Sequence, residues 1–305
     1  MTRRERPLPA SPLPRQLAQG DARLQHATQA LNARRPLEAE RIARDLLEAD
    51  PRDGRAAQIL GYALLMQDRA QVAIAPLETA ARSSHDPEVE TRLAIALSRV
   101  GRRDDALSHL KRAIKRRPPF APAYYELGGL YIAVRRLDEA VEVLSRGVEL
   151  APMAPEFSIR LGYVLLQRRD CGGAKNAFGR ALAISPQSFE ALCGMGKAHQ
   201  EFGESKPAAD YFRRCLAIRP DVADLWLNLG HCLLELGDRD GGFECFRAAA
   251  RGGDTRYCNA LSSLVKSSRG RFWIRPSAAQ RSLLGDKRSS AHPREGGDPV
   301  VFRPA

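Results

Sequence analysis

The chain has 305 residues, is 44% hydrophobic and only 6% aromatic, and carries a formal net charge of +12. That length would suit one large or two ordinary domains, unless repetition removes the need for a single central core. No run approaches the roughly 18–20 apolar residues that span a bilayer, which excludes a helical membrane protein. The basic excess lies mostly in the tails. Residues 1–18 hold four arginines against one acid, and residues 266–305 hold nine Lys or Arg against three acids. A nucleic-acid reading of the charge is weakened accordingly.

In chain order, residues 1–18 form a basic, proline-rich leader without the hydrophobic core of a signal peptide, and are expected to be a disordered arm. Seven units then follow in one register. Residues 20–53 carry Ala27, Ala39, Ala43 and Pro51; residues 54–86 carry Leu60-Gly61, Leu64, Ala73 and Ala80; residues 87–120 carry Leu93-Ala94, Leu97, Ala106, Ala113 and Pro118. Residues 121–154 show the pattern best. Leu127-Gly128, Tyr131, Ala140, Leu144 and Gly147 lie at helical spacing, and Pro152 closes the unit. Residues 155–188 repeat it with Leu161-Gly162, Ala174, Phe178 and Pro186, and residues 189–222 with Met195-Gly196, Ala208, Phe212 and Pro220. Residues 223–256 carry Trp226, Leu229-Gly230, Phe246 and Ala249, with Gly242 at the alanine position. Each unit predicts two amphipathic helices, with small residues where the pair packs closely. Residues 257–285 contain an apolar helical face at Leu261, Leu264 and Val265, suited to capping the exposed flank of the last unit. Residues 286–305 lose all periodicity and are expected to be a disordered tail.

This spacing, about 34 residues with large–small, aromatic, alanine and proline positions in order, resembles the tetratricopeptide repeat. The resemblance implies an all-α, right-handed superhelical solenoid of about seven helix-turn-helix repeats with a C-terminal capping helix. It also implies a non-catalytic scaffold or adaptor that holds a partner peptide or helix in a concave groove lined by the first helices. Carrying the family's groove positions onto this chain gives Tyr62, Leu65, Met66, Ile95, Tyr125, Ile132, Ile159, Tyr163, Leu166 and His231. The family's carboxylate clamp is not expected, because Leu24, Thr28, Tyr125 and Gly129 stand where its polar residues belong. The final HPREGGDPVVFRPA resembles a translated intergenic repeat of proteobacteria, which implies a bacterial source.

Two rival functions remain open. Arg102, Arg103, Arg135, Arg136, Arg168 and Arg169 recur in the turns and would align as a basic edge able to attract RNA. Neighbouring Asp104, Asp105, Asp138, Glu139 and Asp170 favour an ordinary solvated edge instead. The chain could also serve as the accessory repeat subunit of a separate transferase. The six cysteines show no zinc or disulfide spacing and suit reduced, buried thiols in a cytoplasmic protein. No motif of a nucleophile beside a base, a phosphate loop or a metal set is present, so no enzyme activity, cofactor or metal is expected.

Overall fold

The structure, a computed structural model, describes residues 13–250, with side chains from residue 20. Among the described residues there are fourteen α-helices and no strand. They run in seven sequential pairs: α1 (Leu13–Asn32) and α2 (Pro36–Ala49), α3 (Gly54–Met66) and α4 (Ala70–Ser83), α5 (Pro87–Arg99) and α6 (Arg103–Ala113), α7 (Ala121–Ala133) and α8 (Leu137–Leu150). There follow α9 (Pro155–Gln167) and α10 (Cys171–Ile184), α11 (Phe189–Phe202) and α12 (Ser205–Ile218), α13 (Ala223–Glu235) and α14 (Arg239–Ala250).

One expectation needs correction. Helix α1 begins at Leu13, inside the stretch read as a disordered arm. Pro14 is tolerated in a first helical turn, where its missing N–H has no intrahelical acceptor, and Arg15 to Gln19 are good helix formers. The described residues fall into two compact units, one ending at Arg169 and the other starting at Asp170. The expected capping helix at 257–285 and the tail at 286–305 lie outside the described residues.

The first unit stacks α1 to α8 in chain order, with α9 packed on α8. Helix starts follow local chemistry. Asp53 and Asp86 accept N–H bonds from the first turns of α3 and α5, while Pro36, Pro87, Pro122 and Pro155 occupy first-turn positions. In the second unit Asp170, Ser188 and Asp238 cap in the same way.

Within a repeat, the eighth residue is small because the twenty-fourth needs its space. A Cβ on Gly61 would lie 2.4 Å from Leu77, and one on Gly128 would lie 2.6 Å from Leu144. In the second unit phenylalanine fills the same place: a Cβ on Gly196 would meet Phe212 at 2.7 Å, and one on Gly230 would meet Phe246 at 3.0 Å. Leu77, Leu110, Leu144, Phe178, Phe212 and Phe246 are all fully buried. Alanines at the twentieth position, Ala39 through Ala208, are likewise inaccessible.

Every turn inside a repeat places one residue at positive φ, at the fifteenth position. Gly101, Gly203 and Gly237 do so in three repeats, and Arg34, Asp68, Arg135 and Arg169 in the other four. A side chain there costs roughly 1 kcal/mol relative to glycine. Arg135→Gly is therefore expected to raise the stability of the first unit by about 0.5–1 kcal/mol, read as a higher denaturation midpoint at unchanged slope. An unchanged or lower midpoint would show that the Arg135 side chain contributes more than its backbone strain.

Candidate binding surface

The first helices α1, α3 and α5 pack in succession and leave a cleft of about 930 Å³. Leu24, Thr28 and Asn32 of α1, Arg55, Gln58, Tyr62 and Met66 of α3, and Glu88 and Arg92 of α5 line it. Tyr62 is half-buried, and its hydroxyl accepts from Gln58 Nε2 at 3.2 Å. Burial, reinforced by the Glu88 charge, pushes its pKa upward, so the phenol stays protonated and can donate to a ligand. The Arg92 guanidinium lies over the ring, 5.1 Å from its centroid, and is held by Glu88 at 3.2 Å. Across the cleft Arg55 pairs with Asp21 at 2.9 Å. Met66, 45% exposed, offers an adaptable apolar contact beside these polar groups.

The groove residues expected from the sequence fall into different surroundings. Tyr62 and Met66 line the cleft, while Ile95, Ile132, Ile159 and Tyr163 are half-buried on first helices of the same unit. Leu65 and Leu166, each 7% exposed, belong to the core, since a leucine at that register removes its surface from water against neighbouring helices. His231 belongs to the second unit. Its ring meets Phe246 edge-on at 5.2 Å, and its Nδ1 is buried with no hydrogen-bond partner among the described residues. Burial lowers its pKa, leaving a neutral ring against the core.

Tyr125 is not an open aromatic face. The Arg160 guanidinium lies 3.3 Å from its ring centroid, Arg160 Nη1 donates to the Tyr125 carbonyl at 2.8 Å, and Phe157 packs edge-on at 5.4 Å. Gly129 makes this possible, because a Cβ there would lie 2.8 Å from Arg160 Nη1. Arg92 and Arg160 share the sixth position of their repeats. The first-helix surface of this unit thus carries two tyrosines, Tyr62 and Tyr125, each covered by an arginine, among half-buried isoleucines.

The turn arginines Arg102, Arg103, Arg135, Arg136, Arg168 and Arg169 are all exposed on the first unit. Arg102 pairs with Asp105 at 2.7 Å, Arg136 with Glu139 at 2.5 Å, and Arg168 reaches back to Asp138 at 2.9 Å. Arg69 with Glu40 and Arg99 with Asp68 make the same backward link between successive repeats, at 2.9 and 3.0 Å. These pairs neutralise much of the edge; those between two exposed partners are each worth about 0–1 kcal/mol, whereas the Glu40 of the Arg69 pair is buried.

Two imidazole–carboxylate contacts, His109 with Glu90 at 2.6 Å and His199 with Glu204 at 2.5 Å, brace neighbouring helices. Arg112 and Lys175 share those carboxylates at 3.3 and 3.0 Å. Among the described residues no group of three His, Cys, Asp or Glu gathers with metal-binding geometry, and no helix is long and apolar enough to cross a membrane.

Paired helices in a regular register, with an accessible first-helix surface, define a helical-repeat interaction module. Family models of the tetratricopeptide repeat match residues 24–87, 97–158, 159–221 and 193–256, and the chain belongs to that family. No curated protein matches it in sequence. Among solved structures, the C-terminal part of a TPR repeat-containing protein from Cytophaga hutchinsonii is similar with a TM-score of 0.65 and 12% identity, over 79% of this chain and 99% of that one. Pseudomonas aeruginosa pilF aligns with a TM-score of 0.59 and 20% identity, over 70% and 99%. YrrB, described as a TPR protein with an unusual peptide-binding site, aligns at 0.54 and 21%, over 61% and 97%. These likenesses show the fold. Tetratricopeptide-repeat proteins typically act as non-catalytic scaffolds that bind protein or peptide partners.

Proposed function

We propose that this chain is a protein-binding scaffold that takes an extended or helical peptide segment of a partner on the first-helix surface of its first unit. The observation that carries the reading is the cleft on α1, α3 and α5, where an exposed methionine and a protonated tyrosine sit among the side-chain amides of Gln25, Gln29 and Asn32. Tyr, Met and Arg are residues that concentrate binding energy in such surfaces. A cleft of about 930 Å³ is of the size that takes a short peptide segment. Binding there needs no bond to be made or broken.

A peptide ligand selected from a displayed random library against the full chain tests the site. Met66→Ala and Arg92→Ala should each weaken it roughly tenfold, about 1.4 kcal/mol, with helical circular dichroism unchanged. Arg102→Glu with Arg135→Glu should leave affinity and its modest salt dependence in place. If the edge substitutions abolish binding and the cleft substitutions do not, the ligand sits on the turn edge and the cleft reading fails.

A further inference from the structure

The second unit holds a feature that no other repeat shares. Cys193 of α11 and Cys215 of α12 face each other across the helix pair, with their Sγ atoms 3.3 Å apart. They occupy the fifth and twenty-seventh positions of the sixth repeat. Elsewhere those positions hold Leu24 with Leu46, Gln58 with Ala80, Thr91 with Ala113, Tyr125 with Gly147, Ile159 with Ala181, and Leu227 with Ala249. Packing alone is satisfied by a small residue at the twenty-seventh position, so a second sulfur there is not a packing requirement. Both thiols are free, Cys215 fully enclosed and Cys193 8% exposed at the surface end of the pair.

We propose that Cys193 and Cys215 are a dithiol modification site that reacts with a hydroperoxide and closes to a disulfide joining α11 to α12. Cys193, the thiol with access to solvent, attacks the peroxide as thiolate; its sulfur takes one oxygen as the O–O bond breaks, giving a sulfenic acid and hydroxide. Cys215 Sγ then attacks Cys193 Sγ, the S–S bond forms, the S–O bond breaks, and the leaving hydroxide takes up the Cys215 proton as water. The two thiols lose two electrons and two protons, and the peroxide becomes two waters. The sulfurs need to close from 3.3 Å to about 2.05 Å, a shift that side-chain rotation can supply. Electrostatics agree with these roles. The contact with Cys215 holds the Cys193 thiol below the usual range, helped by Lys197, while the same contact and burial push Cys215 up. Cys232 and Cys245, buried singly, are pushed up to about 12 and about 11 by desolvation and are poor nucleophiles.

The test treats the native full chain with equimolar hydrogen peroxide and follows intact mass and peptide linkage. The expected result is loss of two hydrogens, a link mapped between Cys193 and Cys215, and recovery with a small dithiol reductant. Cys215→Ala places in this repeat the residue that four others carry at that position, so it should keep the fold by circular dichroism. In that variant Cys193 should accumulate as a sulfenic acid trapped by a dimedone-type reagent. A mass gain of oxygen in the unsubstituted chain without any link would overturn the proposal. So would a link through another cysteine, or inert Cys193 and Cys215 while the half-buried Cys171 oxidises.

Discussion

Phe212→Ala is expected to destabilise the second unit by about 3–5 kcal/mol, enough to unfold a large fraction of a domain of ordinary marginal stability. The side chain is fully buried and stands against the face of Gly196, so truncation leaves a cavity bounded by helix backbone that cannot collapse into it. The volume is shared by Phe212 and Gly196 as a pair. Gly196→Ala alone forces a Cβ to 2.7 Å from Phe212 and should cost about 1–3 kcal/mol by overpacking. Phe212→Leu alone leaves an unfilled volume. The third repeat places Ala94 and Leu110 at these same two positions, and both are buried. The double variant should therefore be more stable than the sum of the single losses by at least about 1 kcal/mol. Denaturant midpoints of the four proteins measure this directly. Strict additivity would mean that the two positions do not share one volume, and the packing rule inferred for the repeat would be wrong.

The fold was legible because its causes are local and periodic. Small residues at the eighth, twentieth and twenty-seventh positions mark helix contacts wherever they occur, and Gly128, Ala140 and Gly147 display all three within one repeat. The site was legible only in part. Tyr62 and Met66 emerge from register alone, but the arginines that cover the tyrosines do not. Arg92 and Arg160 lie thirty and thirty-five residues beyond Tyr62 and Tyr125, so their contact is a property of stacking that no single repeat contains. Leu65 and Leu166 are buried at the twelfth position, where Ile132 is half-buried, and Met66 one residue beyond Leu65 is exposed, so register alone does not separate core from surface. The left-handed turn residues were hidden for another reason. Where the fifteenth position is Gly101, Gly203 or Gly237 the conformation is written in the residue, but Arg34, Arg135 and Arg169 adopt it under tertiary constraint. The same constraint explains why arginine in these turns carries weaker evidence for a nucleic-acid edge: the turn and its ion pairs account for the exposed side chains.

Acid should unfold the first unit through two buried carboxylates, and Glu90 is the larger expected contributor. It is 3% exposed, receives His109 at 2.6 Å and Arg112 at 3.3 Å, and has Arg116 at 3.8 Å. Burial by itself would raise its pKa, but the hydrogen bonds from His109 and Arg112, with the Arg112 charge, outweigh that and hold it below the ordinary 4.5. Glu40 is lowered in the same way: desolvation is overcome by bonds from Gln67, Arg44 and Arg69. A carboxylate depressed in the folded state binds its proton more readily in the unfolded chain. Its contribution is therefore complete above about pH 4.5 and is lost as pH falls through the folded value. Glu90→Gln keeps the volume and removes the charge. At neutral pH it should cost about 1.5–3 kcal/mol, toward the lower end because Arg112 remains half in solvent and can rehydrate. Below about pH 4.5 the deficit should shrink, since the unfolded chain then takes up a proton that the folded Glu90 binds less readily. Urea titrations of both proteins at neutral and acidic pH separate charge from shape. A deficit that stays constant with pH would mean that the glutamate acts through packing alone, and that the network of His109, Arg112 and Arg116 contributes no net electrostatic stability.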